Sequence, residues 1–224
     1  QFYNLSEEDG LGHNSCWDIS QDADGNMWFA SYGGGISKFD GKKFTLFSSK
    51  DGLPADKVRK VFPFKNNIYV GTEQGVSIID IRSNKISTPK VTKTNEDFIC
   101  IDFFVYKNEV YFVSIFDGVF KIDESSTIPK VVPIYLGKNF YAAQLHKDDI
   151  YLSREGFVEK INIENLLNNK FKTNRFGTSF VFQFAKVRDS LIFAATDGIY
   201  NPDGGLYEIK NDKMINVSSQ FGID

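Results

Sequence analysis

An all-β architecture of repeated four-stranded antiparallel blades follows from three observations on the 224-residue sequence. The first is recurrence: a unit clearest at residues 22–40, DADGNMWFASYGGGISKFD, returns four more times in weaker form. The second is the period. Aligning the aromatic residue that enters the second strand of each unit gives Trp28, Tyr69, Tyr111, Tyr151 and Phe193, at steps of 41, 42, 40 and 42 residues. The third is pattern: the apolar stretches are runs of about 5 to 8 residues rich in Ile, Val, Phe and Tyr, broken by Gly, Asn and Asp. Helical repeats of similar length would instead place apolar residues at i, i+3 and i+4. A period of about 40–45 residues with about four strands in each is that of propeller blades. The expected fold is a β-propeller with about five blades present, as part of a larger propeller.

Each element has a local reason. Residues 2–5 (FYNL) form a short apolar run before the polar loop of residues 6–15. Blade one is expected over about 15–48, with strands at 16–22, 27–31, 36–40 and 43–47. A polar turn at 23–26, a glycine-rich turn at 32–35 and the tight Asp40-Gly41 pair separate them. Blade two (about 57–91) has strands at 57–64, 68–72, 76–80 and 85–91, and blade three (about 98–135) at 98–106, 110–114, 119–123 and 130–135. Blade four (about 139–176) has them at 140–146, 150–153, 158–162 and about 170–176. Blade five (about 180–218) has them at 180–187, 191–196, 206–210 and 213–218. One short helix is expected at 163–169, inserted before the last strand of blade four. Residues 2–5 take the place of a fourth strand with no blade before it, the usual device for closing a ring. Blade five nevertheless owns a fourth strand, and the start of a further repeat at 219–224 resembles residues 49–54. These two ends suggest an excerpt of a longer propeller.

Composition supports the fold and narrows the partners. Hydrophobic residues make up 42% and aromatic ones 15%, with 22 Phe and 10 Tyr, enough to fill the space between stacked sheets. The net charge is −3 and no Lys/Arg cluster stands out, so neither nucleic acid nor an anionic membrane surface is an expected partner. No apolar run reaches membrane-span length and no leader-like start is present, so no membrane contact is expected of this segment. Cys16 and Cys100 precede the repeat core in blades one and three, too far apart for a bridge, and read as free thiols.

Alternating strand direction sorts the loops onto two faces. The loops entering each blade share one face with the turns between second and third strands, and this face is richer in chemistry. It carries Tyr32, Glu73, Phe116, Asp117, Arg154, Glu155, Asp197 and Tyr200. Loops gathered on one face of a repeat scaffold are where binding is built. The ligand-binding candidates are Tyr32, Phe116, Asp117, Arg154, Glu155 and Tyr200: aromatic faces to stack on a sugar ring, charged groups to satisfy its hydroxyls. The bland alternatives are that Tyr32 and Phe116 cover blade tops and that Arg154 pairs with Glu155 or with a neighbouring blade. Asp22, Asp24 and Asn26 resemble the start of an EF-hand, but the closing glutamate is missing, so the stretch reads as a hairpin turn and no metal site is assigned. His13 and His146 fall on opposite faces, and no catalytic constellation or cofactor is expected. Trp17-Asp18 sits inside a first strand, the wrong place for the Trp-Asp signature of interaction propellers.

The strings EEDGLGHNSCWDISQDADGNMWFASYGGGISKFDGKKFTLFSSKDGLPADKVRKVF and IYVGTEQGVSIID resemble the two-component regulator propeller repeat: a Gly-Leu loop, an apolar strand, an Asp and Gly hairpin, a Trp-Ile-Gly-Thr-like strand and a Gly-rich turn. The resemblance runs over residues 1–91. Blades three to five keep only its framework, in VYFVSIF, IYLSREG and LIFAATDG. It implies the periplasmic, extracytoplasmic sensor region of a bacterial histidine kinase or hybrid two-component protein. The partners it implies are a small-molecule or oligosaccharide ligand and the remaining blades and signalling domains; a homodimer is a further candidate partner. The alternatives are an interaction scaffold and a propeller hydrolase or lyase.

Overall fold

A computed structural model describes residues 4–90, 98–177, 181–187, 190–195 and 204–222, with backbone alone for residues 190 and 192–195. It contains five four-stranded antiparallel sheets, each with its strands in chain order. The first comprises β1 (Cys16–Gln21), β2 (Met27–Ser31), β3 (Ile36–Phe39) and β4 (Phe44–Phe47). The second comprises β5 (Val58–Phe64), β6 (Asn67–Thr72), β7 (Gly75–Asp80) and β8 (Ile86–Ser87). The third comprises β9 (Cys100–Tyr106), β10 (Glu109–Ser114), β11 (Gly118–Asp123) and β12 (Lys130–Leu136). The fourth comprises β13 (Phe140–His146), β14 (Asp149–Arg154), β15 (Phe157–Asn162) and β16 (Asn174–Phe176). The fifth comprises β17 (Val181–Val187), β18 (Ser190–Ala195), β19 (Gly205–Lys210) and β20 (Lys213–Asn216). The architecture is the all-β propeller that the repeat predicts.

The repeated aromatic position explains why the sheets stack. Trp28, Tyr69, Tyr111, Tyr151 and Phe193 all lie on the second strand of their sheets. The first four are buried, and each joins the apolar cluster formed with the sheet that follows. Trp28 packs with Val58, Val61 and Ile79; Tyr69 with Phe98, Phe103 and Phe112; Tyr111 with Phe140, Ile150 and Leu152; Tyr151 with Val181, Phe184 and Leu191. Burying one such side chain contributes about 2 kcal/mol, so the inter-sheet cores are the main source of stability. The first strands pack side by side in the order β1, β5, β9, β13, β17.

Polar groups fix the register between these inner strands. Asp18 Oδ2 accepts from the Val61 amide at 3.0 Å, and Ser20 Oγ donates to the Val61 carbonyl at 3.1 Å. At the equivalent place in the third sheet, Asp102 Oδ2 accepts from the Ala143 amide at 3.4 Å. Lys60 lies between these two carboxylates, 3.6 Å from Asp18 and 3.7 Å from Asp102.

Glycine is required where the third strand starts close to its neighbour. Gly35 has φ 68, and a Cβ there would meet the Phe47 carbonyl oxygen at 2.1 Å; Gly118, at φ 125, would meet that of Tyr135 at 1.9 Å. The Gly-Leu loops are near copies. Ser6 with Asp9 and Ser48 with Asp51 form capping boxes around single 3-10 turns, each ended by a left-handed glycine, Gly10 or Gly52. A third 3-10 turn, Ser218–Phe221, ends on Gly222 at φ 66.

Several boundaries differ from the sequence expectation. The fourth strand of the second sheet is only Ile86–Ser87, not 85–91. There the Thr88 hydroxyl turns to Gly52 O and Ser77 Oγ, and Pro89 has no amide to continue the ladder. The fourth sheet's last strand is Asn174–Phe176, and the helix is α1, Ile163–Leu167, capped by the Asn162 side chain on the Asn165 amide. The expected closing strand at 2–5 falls partly outside the described residues, and Asn4 and Leu5 are not in a strand.

Candidate functional site

One irregularity recurs in every blade. The pairing of first and second strands slips by one residue at Trp17, Arg59, Ile101, Tyr141 and Phe182. A bulge of this kind gives one strand an extra residue and re-aims its side chain. All five sit at the start of the inner strand, on the face that carries the second-to-third-strand turns. Trp17 is 45% exposed and Phe182 is 55% exposed. Trp17 and Phe182 therefore stand out from the propeller mouth, whereas Ile101 turns against the core between blades three and four.

The best-built group spans blades one and two. Trp17 stacks on Tyr32 with ring centroids 4.6 Å apart and planes 10° apart. The Arg59 guanidinium lies 4.5 Å from the Trp17 ring centroid, and the Lys57 ammonium 4.8 Å from that of Tyr32. Arg59 donates through Nε at 3.2 Å and Nη2 at 2.7 Å to the same oxygen, Glu73 Oε1. Lys57 stands 3.5 Å from Glu73 Oε2. The backbone holds the group in place: Tyr32 bridges to Lys57, the Tyr32 amide donates to Ser15 O, and the Glu73 amide donates to Lys57 O. One carboxylate thus serves two cations beside an exposed indole.

The other sequence candidates divide. Phe116 and Asp117 occupy the turn between β10 and β11, with Phe116 39% exposed. Asp117 Oδ2 accepts from Ser114 Oγ at 2.8 Å, and its carbonyl accepts from the Gly137 amide. The Phe140 amide donates to Ile115 O, while Asn139 Nδ2 donates to Glu155 Oε2 at 3.2 Å. Residues 137–140 therefore join the Phe116–Asp117 turn to the Arg154–Glu155 turn.

Arg154 itself is engaged inward rather than with Glu155. Its guanidinium lies 4.3 Å from the Phe140 ring centroid, and Nη1 donates to Glu159 Oε2 at 3.2 Å. Glu159 is fully buried and also accepts from Tyr135 Oη at 3.0 Å and Arg175 Nε at 3.1 Å. Tyr32 lies apart from this pair of turns, in the blade-one group. Tyr200 and Asp197 lie outside the described residues.

Sequence reasoning missed Trp17, Lys57 and Arg59, because a strand read with strict alternation hides an inserted residue. A signal existed: in all five inner strands apolar side chains recur three residues apart, as in Val58 and Val61, Cys100 and Phe103, Phe140 and Ala143.

Other polar clusters are accounted for by structure. Asp22 accepts from the Asp24 and Asn26 amides, from Asn26 Nδ2 and from Trp28 Nε1, so its carboxylate ties the hairpin to the core. His13 Nδ1 accepts from the Ser15 amide at 2.9 Å. On the opposite face, a cavity of about 380 Å³ between blades two and three is lined by Asn67, Asp80, Lys85 and Glu124, among others. Among the described residues, no group of three or more His, Cys, Asp or Glu is placed to hold a metal ion. No helix in them is long and apolar enough to cross a membrane.

Comparison with known proteins gives the class. Residues 10–33 match the family model described as two component regulator propeller. No curated protein matches the chain. The chain is similar to the extracellular domain of a putative hybrid two component system from B. thetaiotaomicron, with TM-score 0.75 and 16% identity over 96% of this chain and 31% of that one. It is also similar to PorZ, a surface component of the type-IX secretion system of Porphyromonas gingivalis, with TM-score 0.65 and 13% identity over 91% of this chain and 33% of that one. The computationally designed Ika8 protein gives TM-score 0.63 and 10% identity over 88% of this chain and 58% of that one. This chain thus spans about a third of the two natural relatives, and at these identities the likeness shows the fold. The class is a β-propeller. Within it, residues 10–33 are similar to the two-component regulator propeller repeat.

Proposed function

We propose that this propeller is a ligand-sensing region of an extracytoplasmic, periplasmic two-component signalling protein, and that its ligand is an oligosaccharide or another small molecule. The observation that carries this reading is the position of the family match. Residues 10–33 include the Gly-Leu loop, the bulged Trp17 and the turn residue Tyr32, so the recognisable repeat is also the part that builds the mouth group. The exposed Phe116, with Asp117 and Glu155 on the adjoining turns, extends the same face, and Tyr200 belongs to it by sequence. Arg154 acts there as a positioning residue that holds the Phe140 loop. We assign the propeller no catalytic step; a kinase or other signalling domain of the full-length protein would carry the output.

A glycan array followed by calorimetric titration of the hits tests this reading. Saturable binding that is weakened at least tenfold by Phe116→Ala or Trp17→Ala supports it. An array without hits, together with unchanged melting temperature across a metabolite panel, overturns it.

A further inference from the structure

We infer that the Trp17, Tyr32, Lys57 and Arg59 group is a subsite for an anionic sugar, one whose carboxylate or sulfate competes with Glu73 for Arg59; this rests on the oligosaccharide reading above. The argument is one of charge and access. The indole of Trp17 has Tyr32 and the Arg59 guanidinium lying against it, so a sugar arriving at its exposed part meets a positive charge held 4.5 Å from the ring. Two cations share a single carboxylate: both Arg59 donors converge on Glu73 Oε1, and Lys57 stands 3.5 Å from Oε2. Asp56, the next acid along the chain, is turned away, its carboxylate accepting from the Ser49 amide and hydroxyl. The group therefore carries a net positive charge in a chain whose overall charge is negative.

Arg59 suits the role because a planar guanidinium can pass from one carboxylate to another, or to a sulfate, while staying stacked on an aromatic ring. Lys57, half exposed and 3.5 Å from Glu73 Oε2, offers the same group a second cation. A neutral sugar uses none of this charge. An acidic one gains charge-assisted hydrogen bonds from two donors and lays its ring beside the Trp17 edge.

The test compares an acidic and a neutral tetrasaccharide of equal length, tetragalacturonate and galactotetraose, and adds a sulfated galactose tetramer to separate carboxylate from sulfate. Tetragalacturonate or the sulfated tetramer is expected to bind at least tenfold tighter than the neutral one, and more weakly at 0.5 M salt than at about 0.05 M. Arg59→Gln is expected to remove the preference, and Lys57→Gln to reduce it. Glu73→Gln is expected to strengthen acidic binding, because it removes the competing carboxylate; a purely structural Glu73 would give no such gain. Circular dichroism melts of each variant establish that it is folded. Equal binding of neutral and acidic tetramers, or a preference untouched by Arg59→Gln in a folded variant, overturns the inference and leaves the sensor reading standing. No binding of any tetramer, with no hit on the wider array, overturns both.

Discussion

The indole nitrogen of Trp28 donates to Asp22 Oδ2 at 2.7 Å, joining the polar turn that opens each repeat to the aromatic anchor that buries it. Partial burial pushes the Asp22 carboxyl up, but the bonds from Trp28, Asn26 and Asp24 outweigh it and hold the group below its ordinary value. Asp22→Ala leaves a buried N–H and the turn amides without their acceptor and is expected to cost about 1–3 kcal/mol in urea denaturation. Because the folded value is depressed, this stability is present at neutral pH and disappears as the pH falls below about 4. The gap between the variant and the wild type should therefore narrow in acid.

Asp102 behaves in the opposite sense. Burial between the inner strands raises its carboxyl to about 6, against the pull of Lys60. Above that pH the folded protein holds a desolvated charge that the unfolded chain would solvate, so stability is expected to rise as the pH falls from about 7 toward about 4. In Asp102→Asn this slope should flatten. Thermal melts across that range, showing the same slope in both proteins, would refute the assignment.

Arg154 supports the fold through Glu159, whose carboxylate has no solvent access. Arg154→Ala is expected to destabilise by about 1–3 kcal/mol, since it removes one of the three groups that serve this buried carboxylate while Arg175 and Tyr135 remain. Arg154→Lys should recover only part of this, because a lysine keeps the charge but loses the planar stack on Phe140. A binding defect in Arg154→Ala that comes with no loss of stability would show instead a direct role in ligand contact.

The two thiols are expected to be inert. Burial raises that of Cys16 and raises that of Cys100 further, and Cys100 is fully buried. Alkylation with iodoacetamide at neutral pH should label Cys100 only on unfolding, with Cys16 reacting well below the rate of free cysteine.

Much of the scaffold was legible because its forces are local and repeated. The aromatic at the start of the second strand, the glycine at the start of the third and the Ser-x-x-Asp-Gly-Leu loop each answer a steric or hydrogen-bonding demand met by a fixed residue type. The site was harder to read. Tyr32 was visible as a turn aromatic, but its partner Trp17 lies within a strand, and Arg59 comes 42 residues after it. Their contact exists only because consecutive sheets stack with equivalent bulges in register. Arg154 shows the converse: a charged turn residue that looks like a ligand contact is drawn inward by Glu159, a strand residue whose burial its polar identity concealed.

The inserted residue at the head of each inner strand separates two kinds of information in one strand. Below it, the alternation restarts, so Val61, Phe103, Ala143 and Phe184 meet the neighbouring sheet whatever stands above them. At the insertion itself the five copies read Trp, Arg, Ile, Tyr and Phe. Where the inserted side chain faces outward, as Trp17 and Phe182 do, it changes what the mouth presents; where it turns inward, as Ile101 does against the core between blades three and four, the same insertion joins the packing, so one backbone device serves both recognition and assembly.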